Sequence, residues 1–130
     1  MREIKFRGKD RYGEEWQYGD LAHTIGGITI AQTIVIEKTI SQYTGLKDKN
    51  GVEIYEGDIL TWSTSENPNI KSAPLVVEFK HGGFGYEYYG FIMLGGNSNF
   101  QFNPYDTDNR FEILGNIHDN QDWKNDFLRK

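Results

Sequence analysis

The fold is decided by the stretch Asp48-Lys49-Asn50-Gly51-Val52-Glu53-Ile54-Tyr55-Glu56-Gly57-Asp58-Ile59-Leu60, which carries two turn motifs around a short strand motif. Asp and Asn side chains cap tight turns and Gly takes the left-handed conformation, so Asp48, Asn50 and Gly51 predict the first turn. Gly57 and Asp58 predict the second turn. Apolar and polar side chains alternate between the two turns, as they do in a strand with one buried face.

The same alternation continues outward on both sides of this stretch. Towards the N-terminus, the glycine pair Gly26-Gly27 predicts a hairpin turn, because a two-residue turn needs positive φ angles. Residues 28–36 follow as one predicted strand, with its isoleucines on a single face. Towards the C-terminus, strands are predicted over 75–80, 84–94 and 111–117, with loops over 63–74 and 95–109. Gly115 predicts a bulge in the last strand.

Only the end of the chain has a helical pattern. Asp119 or Asn120 can cap a helix, and Trp123 and Phe127, four residues apart, would form one apolar stripe. Nothing in the composition divides the chain, and 130 residues is a common size for one domain. We therefore expect a single domain over residues 1–130.

Composition limits the classes of function. There are no cysteines, which excludes disulfides and thiolate metal sites. The charged N-terminus is unlike a signal peptide, and no apolar run approaches the about 20 residues that span a bilayer. We therefore expect a cytosolic protein without a membrane partner. The net charge of −5 gives no general attraction to nucleic acid.

Three separated segments resemble the signature of the YopX family, small proteins encoded by bacterial phages and prophages. The longest is 42–60, QYTGLKDKNGVEIYEGDIL, and the others are 2–7, REIKFR, and 115–120, GNIHDN. His118-Asp119 stands where an aromatic residue and an acid are usual. The resemblance implies a phage or prophage gene product in the cytosol of a bacterial host cell. It supplies no catalytic residue, substrate or cofactor.

The order of turns and strands in the central segment is also similar to that of small SH3-like barrels. The predicted fold class is therefore mainly β, with antiparallel hairpins forming a small SH3-like barrel or sandwich and a short C-terminal helix. A likeness of fold alone does not predict a function.

The sequence contains no recognised catalytic or ligand-binding pattern. Its histidines are far apart and do not form a metal-binding motif. The glycine-rich run 82–85 lacks the Lys-Ser/Thr of a phosphate-binding loop, so a hairpin turn is predicted there. Glu56 and Asp58 lie two residues apart and could share a strand face, which makes a carboxylate-dependent small hydrolase the weakest hypothesis. We predict no catalytic residue, no metal and no cofactor.

Aromatic rings are predicted on both faces of the strand over 84–94. The candidate partner surface consists of Phe84, Tyr86, Tyr88, Tyr89 and Phe91. One core covers one face of a strand, so the other face needs a loop, a second subunit or a ligand to cover it. The sequence does not decide between a loop, a second subunit and a ligand, and the ligand alternative includes nucleic-acid bases stacked on the rings.

The N-terminal strand carries a cluster of basic residues. Arg2, Lys5, Arg7 and Lys9 are candidate contacts for an anion, and a solvated strand face is the alternative interpretation. The function we expect is a non-catalytic interaction protein that self-associates, with a phage or host protein as a further candidate partner. The alternative is a nucleic-acid-binding accessory protein of phage replication or regulation.

Overall fold

The computed structural model describes residues 3–63, 69, 71, 74–79, 91–95, 98–101 and 111–123. The strands are β1 (Phe6–Lys9), β2 (Trp16–Gly19), β3 (Leu21–Thr24), β4 (Gly27–Ile30), β5 (Thr33–Ile34), β6 (Ser41–Lys47), β7 (Glu53–Tyr55), β8 (Asp58–Trp62), β9 (Leu75–Phe79), β10 (Phe91–Gly95), β11 (Ser98–Gln101) and β12 (Phe111–Asn116). A 3₁₀ helix, Glu37–Thr39, links β5 to β6.

The strands form three antiparallel sheets. Their orders are β2-β1-β6-β7, β11-β10-β9-β8-β12 and β3-β4-β5. The predicted mainly β, antiparallel fold is confirmed. The SH3-like barrel is not confirmed, because β2 and β7 stay at opposite edges of their sheet and do not pair to close it.

The C-terminal helix was predicted from residue 119 onwards. Residues 117–119 and 121–122 form turns instead, and among the described residues of this segment Trp123 alone is helical. Asp119 is not a helix cap, since its carboxylate binds side chains of β1, β2 and β12. The remaining residues of the predicted helix, 124–130, lie outside the described residues.

Two further predictions differ from the observed chain path. The β3–β4 hairpin forms at Gly26-Gly27 as predicted, but residues 28–36 are not one strand. Ala31 and Gln32 adopt φ angles of 52° and 68°, which turn the chain back and pair β4 with β5. The loop predicted over 95–109 contains β11, which pairs with β10.

The four-stranded sheet has two chemically different faces, and its register shows which residues share each one. On the back, Gly8 lies so close to Ile30 and Val35 that an added Cβ would be 3.0–3.1 Å from their side chains. Ile30 is fully buried there. The front face carries Arg7 and Lys9 of β1, Trp16 and Tyr18 of β2, and Glu53 and Tyr55 of β7.

The main apolar core lies between β7, β8 and β9. Ile54, Leu60, Leu75 and Val77 are buried together. The turn of residues 48–51 connects β6 to β7, and Gly51 there has a φ of +82°. Because the 48–51 turn also bonds to β12, it holds the two larger sheets together.

Candidate functional site

Seven side chains on the front of the four-stranded sheet form what we name the cation–aromatic face. They share a face because β1 pairs Arg7 with Tyr18 and Lys9 with Trp16, while β6 pairs Tyr43 with Tyr55. Residues two apart on a strand point to the same side. The members are Lys5, Arg7, Lys9, Trp16, Tyr18, Tyr43 and Tyr55.

Arg7 is at the centre of this face and is only 6% exposed. Its guanidinium carbon lies 4.5 Å from the centroid of the Trp16 ring and 4.8 Å from that of Tyr55. Arg7 Nη2 donates to Asp58 Oδ1 at 2.7 Å. A cation between two rings and beside a carboxylate has its charge compensated by the protein. Nε is buried and meets no hydrogen-bond acceptor in the described part of the chain.

Asp58 is the partner that the second turn delivers to Arg7. It is 1% exposed, and its other oxygen accepts the Tyr55 backbone N–H at 2.7 Å. Burial raises the pKa of Asp58 above its ordinary value, against the opposing effect of Arg7. Asp58 therefore closes its own turn and binds Arg7 at the same time.

Glu53 forms a second, more exposed ion pair on the same face. Lys5 Nζ donates to Glu53 Oε2 at 2.6 Å, and the Tyr55 hydroxyl donates to Oε1 at 3.0 Å. Burial acts to raise the pKa of Glu53, but the hydrogen bonds from Lys5 and Tyr55 outweigh it and lower the pKa. Glu53 is thus held as a carboxylate.

The 116–119 turn closes one end of the face. Asp119 accepts hydrogen bonds from Lys9 Nζ at 2.5 Å, Trp16 Nε1 at 2.9 Å and Asn116 Nδ2 at 2.9 Å. The His118 ring meets the Trp16 ring edge-on at 5.8 Å between centroids. Burial, followed by the nearby cations Arg7 and Lys9, lowers the pKa of His118.

The ionisation of Asp119 should make the free energy of unfolding depend on pH in the acid range. Burial acts to raise its pKa, but the bonds from Lys9, Trp16 and Asn116 prevail and hold the pKa at about 2. A carboxyl group with a depressed folded-state pKa stabilises the fold above its unfolded pKa and loses that effect as pH falls. We expect about 1 kcal/mol to disappear between about pH 4 and pH 2, after allowance for solvent screening.

Urea unfolding across that pH range measures this loss, with Asp119→Asn as the test variant. The variant should show a flatter dependence of unfolding free energy on pH over the window. An equal slope in both proteins would contradict the role assigned to Asp119. Asp20→Asn is the control at an exposed carboxyl group.

A cleft of about 350 Å³ opens beside the cation–aromatic face. Arg7 and Asp58 lie among its lining residues, with Tyr18 contributed by β2. Val52 precedes β7, and Ile113 belongs to β12. Tyr18 and Val52 are 51% and 53% exposed, so the cleft combines compensated charges with accessible apolar surface.

The structure places the basic residues of the sequence hypothesis in ion pairs. Lys5 binds Glu53, Arg7 binds Asp58, and Lys9 binds Asp119. Arg2 lies outside the described residues. A solvated strand face does not describe this strand, because Arg7 is buried and Lys5 and Lys9 are only partly exposed.

The aromatic candidates fall elsewhere. Phe84, Tyr86, Tyr88 and Tyr89 lie outside the described residues, and Phe91 is the first residue of β10. The predicted turn residues Asp48, Asn50, Gly51, Gly57 and Asp58 lie in or next to the two turns around β7. Two of them also bind strands outside these turns: Asp48 binds β12 and Asp58 binds β1.

Trp16, Tyr55 and Asp119 are site residues that sequence reasoning did not select. The available signal was parity, since Trp16 and Tyr18 share a strand face just as Arg7 and Lys9 do. Parity does not reveal the hydrogen-bond partner of Trp16, because Asp119 lies 103 positions away in the sequence.

The described residues of the segments 2–7, 42–60 and 115–120 meet at this site. Lys5 and Arg7 bind Glu53 and Asp58 of the central segment. Gly57 approaches the His118 ring, and its carbonyl accepts the Ile117 N–H at 2.9 Å. The residues that carry the family resemblance therefore form one contact network.

Two searches concern only the described part of the chain. No group of three or more His, Asp or Glu side chains there is placed to hold a metal ion. Among the same residues, no helix has the length and apolar character needed to cross a membrane.

Known proteins similar to this chain include a solved structure and a protein family. The crystal structure of protein EF1440 from Enterococcus faecalis is similar, with a TM-score of 0.48 and 21% sequence identity over 93% of this chain and 97% of that one. No curated protein matches. The model of the YopX protein family matches residues 5–122, which is most of the chain. The chain therefore belongs to the YopX protein family.

Proposed function

We propose that this protein is a non-catalytic interaction module, of phage or prophage origin, that works in the bacterial cytosol and associates with further copies of itself. The observation that carries the proposal is the hydrogen bonding and the exposure of the side chains that line the cleft. Its carboxylates are held by protein donors, whereas the large apolar side chains at its rim are accessible.

Acid–base catalysis finds less support in this geometry. A general acid or base needs a group free to exchange a proton with substrate. Asp58 is 1% exposed and accepts two protein hydrogen bonds, and Glu56, its partner in the hydrolase hypothesis, accepts backbone hydrogen bonds from Gln42 and Phe79. Both carboxylates therefore act as acceptors within the fold.

Nucleic-acid binding also finds less support. Phosphate binding draws on Lys and Arg side chains that can exchange counterions for phosphate. Lys5, Arg7 and Lys9 already have carboxylate partners. An anion would have to displace these partners.

Exposed apolar side chains favour protein contacts. Ile25 is fully exposed at the β3–β4 turn, and Tyr12 is 85% exposed. Ile4, Tyr18 and Val52 are more than half exposed. Single exposed apolar side chains are normal on protein surfaces, so the support for a protein contact comes from Tyr18 and Val52, which line one cleft.

Sedimentation velocity over a concentration series tests self-association. We expect a species heavier than the 15.0 kDa monomer at micromolar concentration. The double variant Tyr86→Ser/Tyr88→Ser should shift the distribution towards monomer while keeping the wild-type circular dichroism spectrum. A wild-type protein that stays monomeric throughout the series would end this part of the proposal.

A further inference from the structure

One edge of the four-stranded sheet has backbone groups free to bind another strand. Asp10 N–H donates to the Glu15 carbonyl, so these two residues form a bonded pair in the β1–β2 ladder. Bonded and non-bonded pairs alternate along an antiparallel ladder. With the observed register, Gln17 and Gly19 bond to β1, while the backbone groups of Trp16 and Tyr18 point outward.

Those outward groups have no backbone partner among the residues that the structure describes. β2 is the last strand of its sheet. An open edge of this kind accepts the backbone of an extended peptide, which adds as a further strand. The chemistry of the edge thus selects a peptide over a nucleotide or a small metabolite.

The cleft lies next to this edge and supplies side-chain contacts. Tyr18 belongs to both, since its backbone faces outward and its ring lines the cleft. Its ring also meets Tyr55 edge-on at 5.6 Å between centroids. A side chain of the added strand would pack between Tyr18 and the apolar groups of Val52 and Ile113.

The charges of the cleft indicate which side chain would enter. Arg7 is balanced by Asp58, and Glu53 is balanced by Lys5. A charged side chain would gain no unpaired counter-charge there and would lose hydration. An uncharged apolar or aromatic side chain fits the volume of about 350 Å³ and the accessible rings.

We infer that the β2 edge and the adjoining cleft are a docking site for an extended segment of another protein, which pairs with Trp16 and Tyr18 and places one apolar or aromatic side chain against Tyr18. The inference rests on the proposed function and names the chemistry of its partner. Alternate residues of the segment face the cleft, and those between them face away.

Amide hydrogen exchange of the free protein gives the first test. Gln17 and Gly19 N–H should exchange slowly because they bond to β1, whereas Trp16 and Tyr18 N–H should exchange quickly. Slow exchange at Trp16 and Tyr18, at protein concentrations where only monomer is present, would mean that the edge is already paired and would overturn the inference.

Selection from a random peptide library displayed on phage gives the second test. The selected peptides should share an apolar or aromatic residue at one position. Tyr18→Ala should weaken their binding about tenfold, the scale of a contact that anchors an interface. Ile25→Ala, at the β3–β4 turn and not among the residues that line the cleft, is the matched control and should bind like wild type. Bound peptide should slow exchange at the Trp16 and Tyr18 N–H groups.

Peptides without a shared residue, or with equal affinity for wild type and Tyr18→Ala, would overturn the inference. So would a complex in which the Trp16 and Tyr18 amides still exchange quickly. Sedimentation of the same preparations keeps the two proposals apart. A self-associating protein that selects no common peptide loses only the docking site, and a monomer that binds such peptides through Tyr18 loses only self-association.

Discussion

Arg7→Met is expected to lower the free energy of unfolding by about 3–5 kcal/mol, because it leaves the Asp58 carboxylate buried without its cation. Asp58 is 1% exposed, so water cannot replace the guanidinium. The change also removes the cation from between the rings of Trp16 and Tyr55. Urea unfolding at neutral pH, followed by tryptophan fluorescence, measures the difference.

The loss should shrink as pH falls. Arg7 lowers the pKa of Asp58 against the larger effect of burial. The attraction of Arg7 for Asp58 exists only while the carboxyl group is ionised, so it disappears below the pKa values of Asp58 in both proteins. A difference between wild type and Arg7→Met that stays constant down to acid pH would indicate that ring packing, and not the charge pair, explains the loss.

Lys71→Met is the control for removal of a cation from an exposed pair. Lys71 Nζ lies 3.1 Å from Glu112, but 47% of the Lys71 side chain is exposed. Pairs of this kind contribute about 0–1 kcal/mol. A similar cost for Arg7→Met and Lys71→Met would contradict the importance we assign to burial.

Asp48→Ala should have the second large effect, a loss of about 3 kcal/mol or more. Asp48 is 4% exposed and accepts three backbone N–H groups, from Asn50 at 2.8 Å, Val52 at 2.9 Å and Ile113 at 3.2 Å. These three hydrogen bonds are partly buried, so we assign each lost bond the low end of the usual range for a donor left without an acceptor, about 1 kcal/mol. The Ile113 bond is the one that fastens the turn to β12.

Asp10→Ala provides a matched control for this prediction. Asp10 also accepts two turn N–H groups, from Tyr12 at 2.7 Å and Gly13 at 3.1 Å, but this turn is open to solvent. Water can replace the lost acceptor, so a cost of about 1 kcal/mol or less is expected. Equal costs for the two variants in denaturant unfolding would show that Asp48 acts only within its own turn.

Both predictions follow from one structural feature, a turn aspartate that also binds a distant strand. Asp48 and Asp58 each close a local turn with one oxygen and bind a distant strand with the other. Short turn motifs thereby position β1 and β12 around the cleft. The docking site proposed at β2 depends on this arrangement, because Arg7 and Tyr18 are directly opposite each other in the register.

The sequence determined the elements whose causes are local. Glycine at Gly27 and Gly51, both at positive φ, and the alternation of buried and half-buried residues along β9 follow from backbone sterics and from one buried face of that strand. The bulge at Gly115 is equally local in sequence, and the register shift in β12 confirms it.

Other features depended on partners that are distant in sequence. The turn at Ala31-Gln32 carries no glycine, and strand propensity alone favours continuing through it. The basic strand face looked solvated because its counter-charges and rings come from residues up to 110 positions away. Whether a charged side chain is exposed or paired is settled only when the sheets meet, since burial acts on the assembled group and not on the isolated strand.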